Sequence, residues 1–161
     1  MQAQYFQTEL AAHLDAEIAA AQALLNACEA ERAALKGTDA AALAVAGAAK
    51  VAVLTDFEKL EQARRLLGRA QGLVGDDRAA FERWLGACDI TASLRTTWQR
   101  LLKITAQCRD ANQTNGLIVS HRQIQVRQLL GLLRGSGGVE TYGPSGARSS
   151  PVTGARAIAR A

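Results

Sequence analysis

The feature that most constrains this chain is the placement of its prolines: Pro144 and Pro151 both fall within the last eighteen of 161 residues. A proline inside a helix costs about 3 kcal/mol, because it lacks an N–H and collides with the preceding turn. Everything before Pro144 is free of the strongest helix breaker, and its apolar residues recur at helical spacing. From about Gln4 to Lys36, the residues Phe6, Leu10, Leu14, Ile18, Ala21, Leu25, Cys28 and Leu35 stand three, four or seven apart, which marks one face of a helix. Gly37 stops the pattern, and Thr38 or Asp39 can cap a second helix by accepting a hydrogen bond from an otherwise unpaired N–H. A second stripe follows through Leu43, Ala46, Lys50, Val53, Phe57, Leu60, Arg64 and Leu67, then fades at Gly72 and Gly75.

Two helices of that length, at about 1.5 Å per residue, each span roughly 50 Å. Joined by a short turn they must lie antiparallel and bury their stripes against each other, and a period near 3.5 favours a coiled-coil-like seam. Asp76 and Asp77 then open a short helix carrying Phe81, Trp84 and Leu85. Asp89 or Thr91 opens the last one, whose stripe runs through Leu94, Trp98, Leu101, Thr105 and Cys108 toward Asn112, Asn115 and Val119. The two tryptophans are expected to anchor the closure of the bundle, since each can bury a large area. The expected fold is all-α: a long antiparallel helical hairpin, a short helix, a long C-terminal helix and a tail. The helical bundle is expected over 1–134. From Gly135 onward the composition turns to Gly, Ser, Pro, Thr and Arg without periodicity, so 135–161 is expected to be a disordered tail.

Composition and charge narrow the function. Alanine makes up about a fifth of the residues and aromatics only 4%, which suits close helix packing better than a thick core. Residues 1–40 carry six acidic and two basic side chains, whereas 111–161 carry one acidic and six basic ones. A basic end of this kind fits nucleic acid, an acidic partner or simply a solvated tail, and it has no aromatic platform of the sort single-strand binders use. Cys28, Cys88 and Cys108 are odd in number and far apart, which points to reduced thiols in a cytoplasmic protein. The N-terminus lacks a basic region followed by an apolar run, and no eighteen residues are uninterruptedly apolar, so no membrane insertion is expected.

Catalytic patterns are missing. Neither His13 nor His121 has a glutamate three residues before it, as a di-iron bundle requires, and no phosphate-binding loop, nucleophile elbow or zinc-protease motif occurs. The pattern therefore predicts a protein that is not an enzyme and holds no cofactor.

The C-terminal third has the features of a binding element. Over 117–134, Ile118, Val119, Val126, Leu129, Leu130, Leu132 and Leu133 fall within an arc of roughly 160° at about 100° per residue, interrupted by Arg122 and Gln125. That is broader than a bundle helix needs, and a helix laid along a partner can use it all. A fourth core helix is the plainer reading of the same periodicity. Asn112 and Asn115 occupy successive inward positions, where an unpaired buried amide costs on the order of 1–3 kcal/mol, and Gly116 adds about 1 kcal/mol relative to alanine. These three residues fit a polar layer that sets register, a kink, or a hinge for the helix that follows.

The run from Arg109-Asp110-Ala111-Asn112-Gln113-Thr114-Asn115-Gly116 to Leu117-Ile118, preceded by Trp98, is joined to Thr141-Tyr142-Gly143-Pro144-Ser145-Gly146 downstream. Together these residues resemble the flagellar export chaperones of the FlgN type, and Asp76-Asp77 with Trp84 agrees with that family's middle region. The resemblance is specific over about 75–147. It implies a cytoplasmic type III export chaperone that binds the hook–filament junction proteins FlgK and FlgL. By that resemblance the cargo lies along the helix through Ile118, Val126, Leu129 and Leu133; with the polar positions and the apolar arc above, the expected partner-binding residues are Asn112, Asn115, Gly116, Ile118, Val119, Val126, Leu129, Leu130 and Leu133. It likewise implies that Tyr142, with Gly143 and Pro144, docks on the cytoplasmic domain of the export gate protein FlhA. Two rival readings are a coiled-coil protein that self-associates through the same helix and a nucleic-acid binder using Arg148, Arg156 and Arg160.

Overall fold

The computed structural model describes residues 2–89 and 92–133; the expected disordered tail over 135–161 lies outside them. Four helices follow one another: α1 (Gln2–Lys36), α2 (Ala40–Ala70), α3 (Arg78–Cys88) and α4 (Ser93–Leu133). No strand occurs among the described residues, so the fold is the all-α bundle that the proline-free periodic sequence demands. The chain divides into two units between Gln123 and Ile124, inside α4.

Local chemistry explains each helix boundary. Asp39 is extended (φ −82°) and its carboxylate accepts from the N–H groups of Ala41 and Ala42 at 2.8 and 3.1 Å, which starts α2 three residues after α1 ends. At the far end of α2, Gly72 takes φ +86°, its N–H donates to Arg69 O, and the Leu73 N–H reaches back to Gly68 O at 2.9 Å. This left-handed reversal satisfies two carbonyls of the last turn and turns Leu73 inward, where it is buried. Asp77 caps α3 by accepting from Ala80 N–H at 2.6 Å. Asp89, one of the two expected starters of α4, accepts from Arg95 N–H in that helix's first turn at 2.9 Å.

Within Met1–Gln123, the cross-helix bonds fix the directions of the helices. Glu31 meets Lys50 and Glu17 meets Arg64, so higher positions on α1 meet lower ones on α2, as in an antiparallel hairpin. Contacts from α4 run the other way: Cys108 to Ala21, Asn115 to Cys28 and Arg122 to Gly37 climb both helices together, so α4 lies parallel to α1. The core unites Phe6, Leu10, Leu14 and Ile18 of α1 with Phe81 and Leu85 of α3 and with Leu94, Trp98, Leu101 and Ile104 of α4. The tryptophans take their expected anchoring place. Trp84 stands edge-on to Phe6 at 5.6 Å, Trp98 lies 4.5 Å from Phe81, and the Trp84 indole N–H donates to Gln71 O. Trp98 is buried and Trp84 half-buried.

Candidate partner-binding surface

Along α4 the buried positions are Leu94, Trp98, Leu101, Ile104, Cys108, Ala111 and Asn115. This row corrects the expected stripe: Ile104 rather than Thr105 faces inward, and Asn112 is exposed. The inward row steps by four, three, three, four, three and four residues, which carries it to Ala111 and leaves Asn112 beside the seam.

Asn115 ends the row as the centre of a polar layer. Its Nδ2 donates to Cys28 O and to Glu31 Oε2, both at 2.8 Å, and its Oδ1 accepts from Arg32 Nε at 3.1 Å. Arg32 also donates to Ala111 O, and Lys50 Nζ of α2 donates to Glu31 and to Asn112 Oδ1. Burial works to raise the Glu31 carboxyl, but the hydrogen bonds from Lys50 and Asn115 and the charge of Lys50 outweigh it and hold it below the usual carboxylate range. Asn115 is 3% exposed with its amide donor and acceptor both occupied inside the bundle. This geometry makes Asn115 part of a polar layer inside the bundle. Asn112 reaches the same layer from outside through Lys50.

Gly116 follows as an ordinary helical residue: α4 runs unbroken past it, and a Cβ built there would meet open space. Of the remaining expected contact residues in this unit, Ile118 is half-buried and Val119 exposed, while Arg122 donates to Gly37 O at the end of α1. In the unit that begins at Ile124, the residues Ile124, Val126, Leu129, Leu130, Leu132 and Leu133 are all exposed. Val126, Leu129, Leu130, Leu132 and Leu133 share one arc of the helix and form an exposed apolar surface, with Ile124 on the opposite side. Tyr142, Gly143 and Pro144 lie outside the described residues.

A second polar layer was missed by the sequence reading. Arg64 of α2 donates from Nε to Glu17 Oε1 at 2.7 Å, and its guanidinium lies over the rings of Phe81 and Trp98. The signal was present, since Arg64 and Lys50 both occupy the apolar stripe of α2 and a charge there requires a buried counter-charge. His13 is half-buried and His121 exposed, and among the described residues no cluster of His, Cys, Asp and Glu could hold a metal ion.

In comparison with known proteins, the family model described as FlgN protein matches residues 1–150. No curated protein and no solved structure matches the chain.

Proposed function

This chain belongs to the FlgN protein family, a family of flagellar export chaperones rather than enzymes, and from that premise we propose its cargo and its route. It binds the hook–filament junction proteins FlgK and FlgL in the cytoplasm and delivers them to the export gate. The observation that carries this reading is the exposed apolar series Val126, Leu129, Leu130, Leu132 and Leu133 on the last turns of α4. Water-exposed leucines at this density are unfavourable in a free protein, and they suit a helix that covers an aggregation-prone segment of cargo. Ile118 and Val119 are further cargo contacts, whereas Asn112, Asn115 and Gly116 act through the helix that carries them.

Tyr142, with Gly143 and Pro144, is the docking element for the cytoplasmic domain of FlhA. A tyrosine in a Gly/Pro-rich stretch offers a rigid aromatic anchor, and separating it from the cargo helix lets one chain hold both partners. The test is co-elution of the purified full chain with FlgK and with FlgL on size exclusion. A stable complex with at least one is expected, and failure with both overturns the cargo assignment. Tyr142→Ala is expected to keep the cargo complex while losing its binding to the FlhA domain; undiminished gate binding would remove the tyrosine from that role.

A further inference from the structure

Among the described residues, α2 presents an apolar surface that cargo binding by α4 does not use. By length and composition α2 is apolar enough to cross a membrane: its richest window has a mean hydropathy of 1.6, and none of that window is buried. One face of the helix there carries Ala41, Ala44, Val45, Ala48, Val51, Ala52 and Thr55, all exposed, with Val45 at 70% and Val51 at 60%; Ala42, Ala49 and Leu54 are exposed as well and lie to either side of it at about 100° per residue. The Thr55 hydroxyl donates to its own helix at Val51 O, so this residue can turn its methyl group outward.

These seven positions follow one another at spacings of 3, 1, 3, 3, 1 and 3, a series that reads the same from either end about Ala48. If two copies of α2 lie antiparallel with Ala48 on a two-fold axis, Val45 meets Val51, Ala44 meets Ala52 and Ala41 meets Thr55. A two-fold contact uses one surface twice and so needs this self-complementarity. It also needs no like charge opposite itself. Between Asp39 and Asp56 the only ionised side chain is Lys50, which is turned to Glu31 and Asn112 of its own bundle.

We infer that this face of α2 is the contact for a second copy of the chain, antiparallel and centred on Ala48. The alanines allow the two helix axes to approach to about 8 Å, the close end of helix packing. The contact runs for roughly 21 Å and buries on the order of 1,000 Å² in total, which is near the lower limit for a specific interface. The dimer is therefore weak and exchanging. A lipid surface fits less well, because the opposite side of α2 is tied by Lys50 and Arg64 to Glu31 and Glu17 of α1, charges that a bilayer would have to accommodate.

The inference is independent of the cargo reading, and sedimentation equilibrium of the full chain from about 10 μM to 1 mM tests it. The mass is expected to rise from 17.1 kDa toward twice that value. Ala48→Glu, which sets two carboxylates across the axis at an exposed position, is expected to stay monomeric with an unchanged helical circular dichroism signal. Val45→Lys and Val51→Glu are each expected to weaken the dimer roughly tenfold, and the double variant to restore it, because each lysine then faces a glutamate of the other copy. A monomer throughout the range, or a dimer indifferent to Ala48→Glu, overturns the contact. A double variant no tighter than the single ones overturns the register. Flotation of a purely monomeric chain with phosphatidylcholine–phosphatidylglycerol vesicles would instead assign the face to a membrane.

Discussion

Arg64 and Glu17 form an ion pair closed off from water: Nε to Oε1 is 2.7 Å, and the side chains are 6% and 1% exposed. The guanidinium is 4.6 Å from the centre of the Phe81 ring and 4.8 Å from that of Trp98, so one charge ties α2 to α1, α3 and α4 together. Glu17 Oε2 has no hydrogen-bond partner, which leaves the carboxylate less than fully compensated. Removing one partner strands a buried charge, and such a loss costs about 3–5 kcal/mol. Glu17→Leu and Arg64→Met are each expected to destabilise by that amount in urea titrations. The double variant is expected to recover most of the loss, since an apolar pair of similar volume needs no compensation. Additive losses in the double variant would show that packing, rather than charge pairing, is what the single substitutions break.

The same pair sets a pH dependence. Burial pushes the Glu17 carboxyl above its ordinary value of 4.5, against the opposing charge and hydrogen bond of Arg64. The folded chain therefore holds this proton more tightly than the unfolded chain. The contribution to stability is full below 4.5 and is lost as pH rises through the folded value. Glu31 has the opposite sign: its lowered carboxyl contributes above the ordinary value, and that contribution is lost as pH falls. The stability difference between the native chain and Glu17→Gln, measured by urea titration at intervals from about pH 4 to 8, is expected to move against the native chain as pH rises. A difference that does not vary with pH would contradict the raised carboxyl.

Asn115 shows how much of the site was legible in the sequence. Its inward position follows from periodicity, because Trp98, Leu101, Cys108 and Asn115 keep one face, and all four are buried. The helix ends are equally legible, since Asp39, Asp77 and Gly72 act through chemistry confined to their own neighbours. What periodicity does not resolve is which of two neighbouring residues takes an inward place between fixed points of the row: Ile104 rather than Thr105 and Ala111 rather than Asn112 hold those places, while Cys108 and Asn115 keep theirs. Glu17 was invisible for another reason: nothing near it in sequence reports Arg64, 47 positions away.

Asn115→Ala is expected to cost about 1–3 kcal/mol, because it leaves Glu31, Arg32 and Cys28 O each short of a partner in a half-closed environment. Denaturation should reveal this loss, while the cargo affinity of the folded fraction should change less than threefold, or about 0.6 kcal/mol. A large loss of affinity at unchanged stability would return Asn115 to the contact surface.

The leucines of the last turns invert that pattern. Leu129 and Leu133 are exposed, and substitutions at such positions usually change stability by no more than about 0.5 kcal/mol. Leu129→Glu and Leu133→Glu are therefore expected to leave the melting temperature unchanged and to lower cargo affinity roughly tenfold or more, as charges in an apolar contact do. Calorimetric titration with FlgK or FlgL measures the second effect. Wild-type affinity in both variants would move the cargo surface off α4.

Gly116 separates a hinge from a helix. The glycine lies inside the unbroken span of α4, and a Cβ there meets no atom within 4 Å. Alanine should fit without displacement and should restrict the unfolded chain, which together favour the fold by about 0.5–1 kcal/mol. Gly68 makes the contrast, since its Cβ would come within 2.9 Å of Leu73 Cδ2 at the α2 reversal, and Gly68→Ala should destabilise. If cargo binds to α4 as a continuous helix, Gly116→Ala raises the melting temperature and keeps or improves cargo affinity, because the helix is already in its binding form. If cargo binding instead bends the helix at this point, the same substitution stabilises the free chain and weakens the complex. Measuring the melting temperature and the affinity on one preparation distinguishes the two, and the continuous α4 favours the first.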